Sequence, residues 1–590
     1  MSRKLRTLIL VGISAAFMAA CGGGNTTNGI SIGFSQAPPA ALQTSTPVSV
    51  AAVVVNDSSS AGVDWTVTCG SADCGTLAPT HTDSGAATTY TAPASVPTGN
   101  TVTITATATA SSSAVTTGTV TITTNSTGTG LNGQYAFLIT GFDAFNANYY
   151  AVGSIIADGN GNITGGEEDF CDDANGCSSA VLSGSYSTGG DSRGSINLTN
   201  TNANIGPQTL AMVVTSSSHA LIIEFDGFAT SSGTLDLQDT SALTGSAISG
   251  GYSFAVNGID IQQGFAAALG GVMTGDGSGG FTNVTLDEND GGDFSSGTTA
   301  FGASAPPDSF GRVVVGDPNV AFVYYIVNAK ALRFVEVDQN LFLTSGSAYT
   351  QGTSSLNVAN LAGNSVFTEA GISSLGFLGL AGQFTADSGG NVSTSFMDVN
   401  DDGNLSNGSI SGSAFTNFVN ARGNLTLEGD VNSNVSNFQV YLVDPGVNIL
   451  DPNSSSGGGG ALLLDSDQNA AGIGEIIPQA SGAQFSGNYG LNIQAFSSTA
   501  ENDLEGQLTA TSTNLTGNAD VNSLFTLFPA QPITGSVSAD SSNPGRFTAS
   551  LTAGTFGTFN LVYYQASNSQ LVIVEADQGQ VGTGTVVQQQ

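Results

Sequence analysis

The strongest constraint on this chain is that it repeats itself four times after residue 130. Each copy opens on an apolar residue, any residue, then glycine: Leu131-Asn132-Gly133, Ile248-Ser249-Gly250, Leu361-Ala362-Gly363 and Phe485-Ser486-Gly487. Aromatic or apolar positions follow (Tyr135/Phe137, Tyr252/Phe254, Tyr489/Leu491). A glycine then stands five residues before a turn residue: Gly153/Asp158, Gly271/Asp276, Gly382/Asp387 and Gly506/Thr511. Each copy closes on an acidic-x-Asp pair and a Gly-x4-Gln. Self-similarity at a steady spacing means one structural unit used repeatedly.

The unit is all-β. Phe559, Leu561 and Tyr563 alternate with polar or smaller neighbours, as do Ile196 and Leu198. Period two marks a half-buried antiparallel strand. About eight such runs fit one copy, joined by short turns such as Asp158-Gly159-Asn160-Gly161. A meander of that size hides its edges by closing into an up-and-down barrel; a two-sheet sandwich is the alternative. The expected modules span 131–240, 248–352, 361–480 and 485–590, four separate small barrels in a row. The run Asn453–Gly460 reads as a flexible loop in copy 3.

Residues 30–125 form a different all-β unit, with β-branched runs at Val48–Val55, Trp65–Val67 and Thr101–Ala106. Thr88-Thr89-Tyr90-Thr91-Ala92-Pro93, Val120-Thr121-Ile122 and the single Trp65 resemble the immunoglobulin-like repeats of bacterial surface proteins. That resemblance implies a sandwich and says almost nothing of function. The four later copies resemble uncharacterised extracellular modules of environmental bacteria, with no activity attached.

The leader gives an address. Arg3, Lys4 and Arg6 precede an apolar run from Leu8 to Met18, too short to span a bilayer but suited to a secretory signal over 1–20. Met18-Ala19-Ala20-Cys21 resembles the lipobox of bacterial lipoproteins. The resemblance implies a lipid on Cys21, a tether over 21–29 and, with Gly22 following, sorting to the outer membrane. Four cysteines remain in two close pairs, Cys69/Cys74 and Cys171/Cys177, read as disulfides of an oxidising compartment.

Charge narrows the partners. The chain carries 45 acidic residues against 9 basic ones, a formal charge of −36. Electrostatic capture of nucleic acid or anionic lipid needs basic patches and is excluded. Only six basic residues follow the leader, and four share one repeat position: Arg193, Arg312, Arg422 and Arg546. Two readings stand: a clamp on carboxylates or turn carbonyls within each barrel, or one contact per barrel to an anionic ligand.

The acidic-x-Asp pairs are Glu224/Asp226, Glu336/Asp338, Asp465/Asp467 and Glu575/Asp577. Two carboxyls on one strand face stand at a spacing that glycoside hydrolysis also uses. Their recurrence in all four copies, without a Trp in any, favours a structural role. Asp398-Val399-Asn400-Asp401-Asp402-Gly403 looks like the start of a calcium loop, with Asp398, Asn400 and Asp402 as candidate ligands; a plain polar turn is the rival. The two histidines, His81 and His219, are not near a nucleophile elbow. No cofactor is expected, calcium being the one candidate. The expected function is a lipid-anchored surface scaffold or adhesion protein with no catalytic activity. A small-ligand or carbohydrate binder using the barrels is the alternative, and a carbohydrate-active enzyme comes third. The membrane, through Cys21, and an extracellular glycan or protein are the expected partners.

Overall fold

The computed structural model describes residues 29–590 apart from 39–40, 44–46, 94–95, 124–129, 144–146, 203–204, 318–319, 339–340, 354, 432–434, 456–457, 483 and 498–499. The leader, Cys21 and most of the linker after residue 122 therefore lie outside the described residues. The chain divides into two compact units, Met1–Ile122 and Thr123–Gln590.

In the first unit, a four-stranded and a five-stranded sheet enclose Val50, Trp65, Tyr90, Val102, Ile104 and Val120. Trp65 is buried because its indole N–H finds Thr82 Oγ1 at 3.0 Å. Tyr90 donates to the Cys74 carbonyl at 2.8 Å, beside the Cys69–Cys74 disulfide.

In the second unit, copies 1, 2 and 4 are closed eight-stranded barrels in simple meander order. The alternation seen in the sequence sorts each strand into an inner apolar and an outer face. Copy 3 differs: its fourth strand is broken into Asn404–Gly408 and Ala414–Val419, giving nine strands in an open ladder. The isolated Asn391–Ala414 bridge and a bond from Phe415 N–H to Gly390 O span the break.

Two repeated residues now have physical reasons. In copies 1 to 3 the glycine before the hairpin pairs across the ladder with an aromatic of the first strand (Phe137 with Gly153, Phe254 with Gly271, Phe367 with Gly382), and in copy 4 Gly506 pairs with Leu491. A Cβ on Gly382 would stand 2.5 Å from the Phe367 ring. The ring needs that space to lie flat in the core. Tyr135, Tyr252 and Tyr489 each donate to a carbonyl in the turn between strands six and seven: Ser217, Ala329 and Asn568.

Copy 3 has Ser365 at that tyrosine position and, in place of the tight turn, an insertion from Asp444 to Gly459. The run Asn453–Gly460, expected as a flexible loop, falls at the end of this insertion, and its residues 456–457 lie outside the described ones. The insertion's described residues reach every other copy. Asn453 Nδ2 donates to Ser218 O and Leu237 O of copy 1, Tyr349 of copy 2 donates to Ile449 O, and Asn448 Nδ2 meets Gln570 Oε1 of copy 4.

The barrels are not separate and not in a row. The first two strands of each copy pack on the sixth and seventh strands of the next, and copy 4 packs in the same way on copy 1. Four copies thus close into a ring, with the copy 3 insertion as a hub. Shared apolar clusters fill the seams between copies 1, 2 and 3, around Tyr150, Tyr325 and Tyr441. A further cluster fills the seam between copies 3 and 4, around Tyr564. We expect Gly382→Ala to lower the melting temperature of the full chain by overpacking worth about 1–3 kcal/mol. Adding Phe367→Leu should recover part of that loss in a double-mutant cycle.

Candidate functional site

The four repeated arginines all meet carboxylates across the seams, and two of them also clamp a carboxylate within their own barrel as the clamp reading had it. Arg312 of copy 2 grips Asp169 of copy 1, with both nitrogen–oxygen distances 2.6 Å. Arg422 grips Asp287 at 2.6 and 2.6 Å, and Arg546 grips Asp398 at 2.7 and 2.7 Å. Arg193 of copy 1 closes the circle on Asp520 of copy 4 through one bond of 2.9 Å. Arg193 and Arg546 also hold Asp191 and Asp540 of their own copies. The aspartates sit at the same place on each third strand, and the arginines open each fifth strand. A tyrosine of the sixth strand adds a second donor: Tyr325 to Asp169 at 2.9 Å, Tyr441 to Asp287 at 2.8 Å, and Tyr564 to Asp398. Burial beside these anions pushes all three phenols well above their ordinary range.

Two residues beyond each aspartate the seam is stitched again. Asn289 Nδ2 donates to Asp465 O, Asp467 O and Ala470 O of copy 3. Asn400 does the same to Glu575 O, Asp577 O and Gln580 O of copy 4, and Asn522 to Glu224 O and Ala229 O of copy 1. In copy 1 the position is Cys171. Its sulfur, bonded to Cys177, lies 3.2 Å from Glu336 O as a packing contact, since a disulfide has no proton to give. The four cysteines thus form the two expected disulfides. The closing glutamines make a third stitch: Gln238 donates to Ile326 O, Gln479 to Gln565 O and Gln589 to Val214 O, each in the next copy. Gln351 acts through Ser253, which donates to Leu442 O.

The calcium candidates are placed differently from a cation loop. Asp398 is held by Arg546, Asn400 by the carbonyls of copy 4, and Asp402 stands at the exposed turn apex with φ of 51°. Asp-x-Asn is a seam motif, which the same tripeptide pattern at Asp287 and Asp520 could have revealed.

The acidic-x-Asp pairs divide their labour. The second aspartate accepts from a backbone N–H in the first part of the sixth strand: Asp226 from Thr209, Asp338 from Ala321, Asp467 from Asn437 and Asp577 from Asn560. The first acid points into its own barrel end. Glu336 accepts from Thr344 and Glu575 from Gln580. Burial pushes both carboxyls up to about 8, and Glu224 and the Asp465–Glu369 pair rise for the same reason.

The sequence reading passed over one cluster. Asp236 of copy 1 accepts from His219 Nδ1 at 2.8 Å and from Arg333 of copy 2 at 2.6 Å, with Asp451 of the insertion close by. Burial alone would raise Asp236, but Arg333 and His219 outweigh it and hold the carboxyl at about 2. Burial likewise opposes the imidazolium of His219, yet Asp236 keeps its pKa above the usual value. Among the described residues these are the metal-type ligands that converge, but Asp236 is already saturated by Arg333 and His219. Arg333 also lines a cavity of about 330 Å³ where the four copies meet, with Thr234, Ser347, Glu475 and Thr585 around it.

No protein-family profile matches this chain, and no curated protein does. Among solved structures, kievitone hydratase from Nectria haematococca aligns at 10% identity over 40% of this chain and 94% of its own, with a TM-score of 0.17. A transferrin binding protein B mutant from Haemophilus parasuis aligns at 11% identity over 78% and 75%, with a TM-score of 0.18. Intact Ap-TbpB, with N and C lobes, aligns at 10% over 90% and 85%, again at 0.18. At such scores the chains do not superpose, and nothing of these proteins' chemistry transfers.

Three outcomes follow. Arg546→Ala should cost about 3–5 kcal/mol, because it strands the buried Asp398. Asn400→Ala should cost about 1–3 kcal/mol by leaving carbonyls without a donor; chemical denaturation of the full chain measures both. Glu336 and Glu575 hold protons in the fold up to about pH 8, whereas unfolded carboxyls release them near 4.3. Their contribution to stability is therefore complete below about 4.3 and is lost as pH rises through about 8. Calorimetry should show a lower melting temperature at pH 9 than at pH 5, and Glu336→Gln with Glu575→Gln should flatten that slope.

Proposed function

We propose that this chain is a rigid, non-catalytic scaffold or adhesion protein, held at the cell surface by a lipid on Cys21. One observation carries the reading: the repeated arginines and closing glutamines are engaged in holding the ring together, the acidic pairs finish their own barrels, and aromatic and aliphatic side chains fill the interiors. Tyr135, Phe137 and Tyr563 stand in those interiors. No helix among the described residues is long and apolar enough to cross a membrane, which fits an anchor supplied by the leader.

A face suited to contact supports the same reading. Phe228, Phe265, Leu375 and Leu341 are exposed by 65%, 52%, 52% and 36%. All four stand in turns at the barrel ends opposite the one where the chain comes in at Leu131. Exposed apolar side chains at one end of an acidic ring suit a protein partner. The cavity of about 330 Å³ favours a second reading, in which the ring binds a small polar solute.

Cells expressing the chain should attach to protein-coated surfaces, and Phe228→Ser, Phe265→Ser and Leu375→Ser together should abolish attachment at unchanged melting temperature. A thermal-shift screen against glycans and small polar or apolar solutes should stay silent. A ligand at 100 times its Kd would add about 2.7 kcal/mol, and such a shift would overturn the scaffold in favour of the binder.

A further inference from the structure

The seam between copies 4 and 1 is built unlike the other three. It is the one seam that no connecting segment backs, since it joins the two ends of the repeat array. In the other seams a tyrosine of the sixth strand lies over a small or aliphatic residue of the neighbouring second strand. Tyr441 lies on Gly270, where a Cβ would stand 2.7 Å from the ring; Ala381 and Val152 hold the same position for Tyr564 and Tyr325. In the closing seam both members change. Copy 1 has Val213 where the tyrosine would be, paired across its ladder with Arg193. Copy 4 has Glu505 where the small residue would be, and the second strand continues the exchange. Glu501, Asp503 and Glu505 occupy one face of Glu501–Ala510 and are exposed by 2%, 0% and 0%. Copies 2 and 3 have Ala266, Ala268, Gly270 and Phe377, Gly379, Ala381 at these places.

Both oxygens of Asp503 and both of Glu505 receive no hydrogen bond from any N–H or O–H among the described residues. Each nevertheless has a second carboxyl beside it: Asp520 pairs with Glu505 directly across the ladder, and Glu501 stands two residues from Asp503 on the same strand face. Glu501 in turn accepts from Phe142 N–H of copy 1 at 2.9 Å and from Gln494 at 2.8 Å. Two carboxylates are acceptors only, so each pair bonds only when one member carries a proton. A protonated Glu505 gives Asp520 the hydrogen bond that Tyr325, Tyr441 and Tyr564 give its counterparts.

We propose that the copy 4–copy 1 seam is a proton-operated latch, shut by two carboxyl–carboxyl hydrogen bonds and released when Glu505 and Glu501 lose their protons. The groups facing Glu505 are Asp520 on its own barrel and Arg193 and Asp191 of copy 1. Glu501 faces Asp503 and, at longer range, Tyr150 of copy 1. Among the described residues Arg193 is the one cation there, and Asp520 and Asp191 already share it. Deprotonation therefore adds carboxylates to a dry seam with no cation left to meet them, and repulsion separates the copies. Burial raises Glu501, Asp503 and Glu505 alike, so the latch is shut in acid and opens on the alkaline side.

The test uses thiol labelling of the full chain with Thr215→Cys, a buried seam position whose methyl lies against Gly490 of copy 4. Ala381→Cys in the copy 3–copy 4 seam is the control. With rates normalised to the unfolded chain, protection of Cys at 215 should fall about tenfold per pH unit for each proton released on opening. The control should hold. Glu501→Gln with Glu505→Gln keeps the hydrogen-bonding protons permanently and should abolish the fall. Val213→Tyr with Glu501→Ala, Asp503→Ala and Glu505→Gly installs the copy 2–copy 3 solution and should do the same by a different route, which covers a failure of the first pair to fold. Protection at 215 that is indifferent to pH, an equal fall at the control, or a fall that survives in the folded variants would overturn the latch.

Discussion

The structure rests on a guanidinium that leaves its own barrel to hold a buried carboxylate in the next. Six basic side chains follow the leader, and every one reaches another copy: the four repeated arginines, Arg333 on Asp236, and Lys330 on the Gly446 carbonyl of the insertion. A buried aspartate without a partner is costly, and a planar two-pronged donor answers both of its oxygens at once. Given that contact, the neighbouring residues follow from it. Asparagine two places along the same strand meets the neighbour's turn carbonyls, and tyrosine beside the arginine supplies a further donor. In a chain so acidic, cations placed at the seams decide which surfaces come together.

The same acidity shapes what lies inside. Carboxyls without a salt-bridge partner are buried and pushed upward by that burial, at the barrel ends in Glu336 and Glu575 and in the closing seam in Glu501 and Glu505. A protonated carboxyl is a hydrogen-bond donor in a sequence short of donors with charge. Its drawback is sensitivity to pH, which tyrosine in the other seams avoids.

The four copies are alike where the ring requires it and differ where the ring has one centre and one closure. Copy 3 lacks the tyrosine that secures the turn between strands six and seven, and its longer segment there crosses to the other three copies. Copy 1 lacks the seam tyrosine, and copy 4 supplies a glutamate opposite. Each departure is paired with a compensating change elsewhere, as expected when one unit serves non-equivalent places in a single assembly.

Period-two alternation, the spaced glycines and the closing motifs determined by themselves that the chain is all-β, that its unit is an eight-stranded meander and that the unit recurs four times. Those signals are local, because strand parity and hairpin turns depend on neighbours in sequence. The repeated arginines, Asp-x-Asn and acidic-x-Asp were legible as positions but not as partners. Arg312 and Asp169 are 143 residues apart, and Arg193 and Asp520 are 327 apart. Neither separation carries a periodic signal. A row of independent barrels and a closed ring need the same strands and the same turns. Only the packing of one barrel's outer face on the next decided between them, because that face is chosen by charge and shape across copies and not by alternation within one.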